Sequence, residues 1–312
     1  MLSETVLPDM LPRPPAISLA EYRQRRDTLM AQLPDNAAVV LPGASLVTRS
    51  RDSEFAFRQN SDFYYLTGLR EPDALLVLLP GRVEGESVVF CQDRDPTMEA
   101  WTGRRLGAAG VVVEHGVDQA FENAERDEQL GTLLAGRELL YLPLDSDEAV
   151  AMAEEALHTA QAGLKRGRPA LKGWLDISPL IHAMRLIKSD AEIALIKHAA
   201  LISAHAHRRA MRVSRPGLNE FQLQAELEHE FIWQGASGPA YSTIVGSGAN
   251  ACVLHYIENS APLRDDGLVL IDAGAEFELY AGDITRTFPV TGQFSDAQRA
   301  LYQVVLDAQV RA

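Results

Sequence analysis

Short continuous apolar runs punctuate the first half of the chain. They are AAVVL at residues 37–41, LLVLLP at 75–80, SVVFC at 87–91 and ELLYLPL at 138–144. Runs of that length without polar alternation predict buried strands. Longer patterned stretches lie between them. Ser18 and Glu21 have the spacing of a capping box, which predicts a helix to about Leu33, stopped by Pro34-Asp35-Asn36. A second helical stretch runs over 146–161. Strand and helix in alternation predict an α/β N-terminal domain.

The rhythm changes after GLKRGRPALKG (163–173), a basic stretch containing Gly and Pro that reads as a linker. The boundary is therefore placed near 172, giving domains over 1–172 and 173–312. Residues 1–16, rich in proline, read as a loose arm. Ser189 with Glu192 predicts a long helix to about Val213, ended by Pro216-Gly217. Asn219 with Gln222 predicts another that stops at Gly235. Beyond Gly238 the chain turns β-like through AYSTIVGSG, NACVLHY, GLVLIDAG and ELYAGDITRTFPVTG, with VGSGAN (245–250) read as a turn between strands. A further helix is expected from Asp296. Paired helices followed by antiparallel strands predict an α+β second part, and 312 residues suit two domains.

The net charge of −14 argues against a phosphate backbone as partner; it suits either attraction of cations or simple solubility. Cys91 and Cys252 sit in apolar runs and read as buried thiols without a disulfide, which suits a reducing cytoplasm. No apolar run of membrane-spanning length is present, so no membrane partner is expected. The first residues, acidic and rich in proline, lack the pattern of a signal peptide.

The segment with chemical content runs from Asp266 to Gly292. Asp272 ends an apolar run, and Asp283 follows a second β-like stretch. A two-residue reversal at Phe277-Glu278 would set the two aspartates face to face on one side of a hairpin. Like charges so placed repel by roughly 4 kcal/mol at about 4 Å and an effective dielectric near 20. The segment holds no lysine, and Arg286 falls on the opposite face. Divalent cations are the economical counter-charge. Two carboxylates without a thiol suit a hard metal, manganese or magnesium, with zinc or cobalt as other possibilities. His255, in VLHYIEN, has two readings, a structural ring or a group that binds substrate and carries protons. His198, His205, His207 and His229 read as structural. Local signatures of a serine nucleophile are absent.

AYSTIVGSGANACVLHYIEN, LVLIDAG and YAGDITRTFPV resemble the catalytic domain of the aminopeptidase P family. That family belongs to the creatinase and methionine-aminopeptidase group with the pita-bread fold. SRDSEFAFRQNSDFYYLTGLREP (50–72) and WTGRRLG (101–107) resemble the same family's N-terminal domain, and the likeness covers nearly the whole chain. It implies an α/β, creatinase-like N-terminal domain followed by the first half of an α+β pita-bread catalytic domain. It also implies a dinuclear site, usually of manganese, whose bridging hydroxide cleaves the bond before a proline in second position. Asp272 would chelate one ion and Asp283 both. His255 would assist substrate binding and proton traffic, and Tyr241 would line the cleft. Trp101 and Arg104 fall in a loop that helps close a neighbour's active site in the family's tetramers, so a homo-oligomer is expected. The family's other metal ligands, a histidine and two glutamates, lie in a second half-domain without counterpart here. The chain alone is therefore expected to be inactive and to need the remaining C-terminal polypeptide. Two alternatives stay open, a prolidase acting on Xaa-Pro dipeptides and a non-catalytic pita-bread module that binds peptides.

Overall fold

The computed structural model describes residues 10–163 and 171–312, which form two compact units. One unit is Ile17–Ile187. Its helix α1 (Leu19–Met30) starts where Ser18 Oγ accepts the Glu21 N–H at 3.2 Å. Strand β1 (Ala37–Pro42) follows, then a small hairpin of β2 (Thr48–Ser50) and β3 (Ser53–Glu54), helix α2 (Ser61–Thr67) and strands β4 (Leu75–Leu78) and β5 (Ser87–Cys91). Next come α3 (Pro96–Thr102), α4 (Gly107–His115), β6 (Gln119–Glu122), α5 (Arg126–Leu133), β7 (Leu139–Leu142), α6 (Asp147–Gly163), β8 (Gly173–Asp176) and α7 (Ser178–Leu186).

Six of these strands form one mixed sheet in the order β6-β5-β4-β1-β7-β8. Strand periodicity sends alternate side chains to opposite faces. Val39, Leu76, Leu78 and Val89 pack with Leu29, Phe63, Val111 and Ile181 on one side. Val40, Leu75, Val77 and Phe90 pack with Leu133, Ala149 and Ala153 on the other. Helices therefore cover both faces, and this is why the strands read as unbroken apolar runs.

The sheet moves the expected domain boundary. Residues 173–176 are strand β8, hydrogen-bonded in parallel to β7 with Leu139 opposite Gly173. Ile181 of α7 is fully buried in the same core. The division thus falls at Ile187/Lys188, later than the composition of the 163–173 stretch suggests. Residues 164–170 of that stretch lie outside the described residues, as do residues 1–9.

Asp118 ties the edge of this sheet together. Its Oδ2 accepts the Glu86 and Ser87 N–H groups at 3.0 and 2.9 Å and the Ser87 hydroxyl at 2.8 Å, and Arg23 reaches Oδ1 at 2.7 Å. Burial pushes its pKa up, but these donors outweigh burial and hold it below the ordinary 3.8. A depressed carboxylate stabilises the fold at pH values above its unfolded pKa and ceases to do so as pH falls through its folded pKa. Asp118→Asn should therefore lower the urea midpoint at pH 7, with the difference from wild type shrinking as pH falls below about 4. A difference that stays constant with pH would contradict this.

The other unit is Lys188–Ala312 together with residues 10–16. The described part of the expected loose arm is docked: Gln234 Oε1 accepts the Leu11 N–H at 2.9 Å, and Arg13 lies over the Phe277 ring. Helices α8 (Asp190–Val213) and α9 (Glu220–Trp233) both begin with the predicted capping residues. Strands β9 (Gly238–Pro239), β10 (Ile244–Ser247), β11 (Leu268–Ala273), β12 (Ala275–Phe277), β13 (Tyr280–Ala281) and β14 (Ile284–Pro289) form two small antiparallel sheets, β10-β11-β14 and β13-β12-β9. Helix α8 packs on β11 to β14, and α9 on β9 and β10. Helix α10 (Asp296–Arg311) buries no residue; Leu301, Val304, Val305 and Val310 stand exposed on it. Among the described residues, no helix is long and apolar enough to cross a membrane.

Candidate metal centre

The hairpin carrying the two aspartates turns one residue later than its sequence suggests. Phe277 pairs with Tyr280, so the turn residues are Glu278 and Leu279, with φ of 52° and 62°. Both adopt the left-handed conformation of a two-residue hairpin turn without being glycine. Packing selects this turn: Phe277 is buried against the His198 ring, and the Tyr280 hydroxyl donates to Glu192 Oε1 at 2.9 Å. In this register Asp272 stands opposite Thr285 rather than Asp283. The face survives the correction, because the slip is of two residues and side chains alternate with period two.

The two carboxylates meet at one atom. The Tyr241 hydroxyl lies 2.5 Å from Asp272 Oδ1 and 3.0 Å from Asp283 Oδ1. One phenolic proton serves one carboxylate at a time. Burial first, and then the two carboxylates, push the Tyr241 pKa far up, so the phenol keeps its proton. Tyr241 is placed by its neighbour, since the Ala240 N–H donates to the Gly274 carbonyl at 2.8 Å. Among the described residues no lysine or arginine forms an ion pair with either aspartate; the Arg286 guanidinium donates to the Thr285 carbonyl at 2.7 Å. Two carboxylates brought together without an ion-paired lysine or arginine, among the described residues, would suit a hard divalent ion. Among the described residues no third His, Cys, Asp or Glu joins a metal-binding group.

Two glycines shape the place. A Cβ on Gly274 would overlap the Gly282 carbonyl, and one on Gly282 would stand 2.5 Å from Ser203 Oγ. The strands therefore cross closely beside the aspartates, between the two small sheets.

The other candidate residues are not drawn to this point. His255 is exposed on an irregular segment and, among the described residues, makes no hydrogen bond to either aspartate. That segment corrects the expectation of a strand over NACVLHY and of a simple turn at VGSGAN. Residues Gly248–Cys252 form a 3-10 turn, and a buried carboxylate gathers the chain on either side of it. Glu220, fully buried, accepts from Ser247 N–H at 2.6 Å, Ser247 Oγ at 2.9 Å, Asn250 Nδ2 at 3.2 Å, Tyr256 OH at 2.8 Å and Ala261 N–H at 2.9 Å. Burial raises its pKa, but those donors prevail and lower it. Asn259, also buried, accepts the Val245 N–H and donates to the Thr243 carbonyl. Glu220 reads in sequence as an ordinary first-turn acid of a helix; only its partners, brought from up to 41 residues away, reveal the role. Cys252 lies in the 3-10 turn and is exposed, against expectation, whereas Cys91 is buried and its thiol is pushed up to about 12, first by desolvation and then by Glu71, Glu122 and Asp93. Trp101 and Arg104 belong to the unit Ile17–Ile187, where Trp101 is 83% exposed and Arg104 approaches Glu114 at 4.0 Å.

Two family descriptions match the chain, "Aminopeptidase P, N-terminal domain" over 22–141 and "Metallopeptidase family M24" over 194–312. The Xaa-Pro aminopeptidase of Escherichia coli (strain K12) is 46% identical over 94% of this chain and 67% of its own length. The chain belongs to the aminopeptidase P family of M24 metallopeptidases. Human Xaa-Pro aminopeptidase 3 is 32% identical over 95% of this chain and 60% of its own length. The structure of Pseudomonas aeruginosa aminopeptidase PepP aligns with a TM-score of 0.92 at 44% identity, covering 95% of this chain and 67% of that one. The 312 residues thus span about two-thirds of the length of these aminopeptidase P relatives, or less. The architecture is that of the family, an N-terminal aminopeptidase P domain followed by the M24 domain in part. A zinc-substituted E. coli aminopeptidase P with bound product is among the solved structures, matching at a TM-score of 0.90, and the family is one of divalent-metal peptidases.

Proposed function

We propose that the whole protein is an Xaa-Pro aminopeptidase that releases the first residue of peptides with proline in second position. The observation that carries the site is the convergence of Asp272 and Asp283 on the Tyr241 hydroxyl, with no lysine or arginine ion-paired to either among the described residues. Asp272 and Asp283 would hold the divalent ions, with their carboxylate oxygens as ligands. Hard oxygen donors suit manganese or magnesium, and the family resemblance favours manganese. Bound there, the ions supply Lewis acidity that polarises the scissile carbonyl and acidifies water. Tyr241 keeps a protonated phenol beside the two carboxylates and offers a hydrogen bond. His255, carried on the segment that Glu220 and Asn259 anchor, takes part in substrate binding and proton transfer. Trp101 and Arg104 contribute to substrate access in a homo-oligomer. A reducing cytoplasm suits two free thiols.

An Xaa-Pro bond lacks the amide N–H, and the residue before proline is conformationally restricted. A site shaped for that bond needs metal ions and donors beyond the two aspartates. Parallel assays of a full-length, manganese-loaded protein with Xaa-Pro dipeptides and with Xaa-Pro-Yaa peptides test the reading. Release of Xaa from the longer peptides is expected. Turnover of the dipeptide alone would make the protein a prolidase, and no turnover of either would make it a binding module.

A further inference from the structure

One stripe of α8 meets the backbone of both aspartate-bearing strands. Ala199, Ser203 and His207 are four residues apart and stack along one helix face. His207 Nε2 lies 3.1 Å from the carbonyl oxygen of Ala273, the residue after Asp272. Ile284 is the residue after Asp283. Ala273 and Ile284 are partners across the β11/β14 ladder. One helical turn back, Ser203 Oγ accepts the Ala275 N–H at 2.9 Å and donates to the Ala199 carbonyl at 2.7 Å. The backbone at Gly282, just before Asp283, runs against Ser203 Oγ and the Ala199 carbonyl. Ser203 and His207 are 0% and 2% exposed, so these contacts are fixed in the interior.

We propose that Ser203 and His207 are positioning residues that set the separation and aim of Asp272 and Asp283 as metal ligands. The inference rests on the assignment of those two aspartates as ligands. Packing alone does not call for these side chains. Their neighbours on the buried face of α8 are apolar, Ile202, Ala206 and Ala210. Among the described residues His207 Nδ1 has no hydrogen-bond partner, a penalty that an apolar side chain would avoid. What the polar pair adds is direction. The sheet ladder breaks at Gly274, and there the helix supplies the bonds that the sheet no longer provides. Each grip lies within three residues of a carboxylate, the place where a ligand's orientation is decided.

Manganese titration calorimetry on the full-length protein tests this. His207→Leu is expected to weaken manganese binding by about 10- to 100-fold, as loss of a group supporting a ligand does. His207→Gln, which keeps an N–H at the Nε2 position, should recover most of the loss. Ser203→Ala, a smaller lesion that reports if His207→Leu does not fold, should weaken binding about fivefold. Leu223→Ala in α9, destabilising but remote from the grip, should leave affinity within about twofold. Affinity unchanged in folded His207→Leu or in Ser203→Ala overturns the proposal, as does an equal loss in Leu223→Ala. Asp272→Asn separates the two levels. If it abolishes binding while the α8 variants do not weaken it, only the positioning role fails. If it too binds normally, the ligand assignment falls and the positioning role with it.

Discussion

Asp272→Asn in the full-length enzyme should lower kcat/KM by about a thousandfold while making the metal-free protein more stable. The first effect follows from charge. Asparagine keeps the shape of aspartate but replaces an anionic oxygen ligand with a neutral one. Metal-ion stabilisation of a transition state is worth several kcal/mol, and a loss of about 4 kcal/mol is roughly a thousandfold in rate. The second effect follows from the arrangement without ions. Two carboxylates reach one hydroxyl, and among the described residues no lysine or arginine is ion-paired to either. At about 5 Å and an effective dielectric near 20, their repulsion is roughly 3 kcal/mol. Removing one charge relieves part of it, offset by a weaker bond from Tyr241, for a net gain of about 1 kcal/mol. Steady-state kinetics with manganese and thermal melts in chelator measure the two quantities. Opposite signs are the signature of a site built for cations. A fall in both would mean that Asp272 serves the fold and not a metal.

The second large effect belongs to Gly274. A Cβ there would overlap the Gly282 carbonyl, which is backbone and part of the crossing between the two small sheets. No side-chain rotation relieves such a contact; the strands must part. Gly274→Ala should therefore destabilise the unit Lys188–Ala312 by about 3 kcal/mol, the upper end of overpacking costs, and lower its melting temperature by roughly 10 °C. Gly217→Ala is the comparison in the same unit. Gly217 has a φ of +88°, but a Cβ added to it would meet nothing within 4 Å, so the variant carries conformational strain alone, about 1 kcal/mol. Equal melting temperatures for the two variants would show a crossing loose enough to admit a methyl group. Any Gly274→Ala protein that folds should also bind manganese poorly, since the overlap pushes Asp283 away from Asp272.

Local signals in the sequence determined a good part of this molecule. Ser18, Ser189 and Asn219 announced their helices because capping satisfies orphaned N–H groups within a few residues. The apolar runs of the first half marked strands covered on both faces, because such strands have no solvent side to alternate with. The alternation of side chains put Asp272 and Asp283 on one face whichever even register the hairpin took. The long motifs around them carried the family. Tertiary structure decided what depends on distant partners. The turn settled at Glu278-Leu279 because Phe277 and Tyr280 found His198 and Glu192 on α8. The strand β8 joined the first sheet because β7 offered it an edge, although its composition resembled a linker. Residues 248–262 took an irregular path because the buried Glu220 gathered donors from along it. The grip of Ser203 and His207 on the aspartate strands was invisible for the same reason. A histidine on a helix has the same local pattern whether its ring meets solvent, a ring or a carbonyl, and only the packed chain determines which.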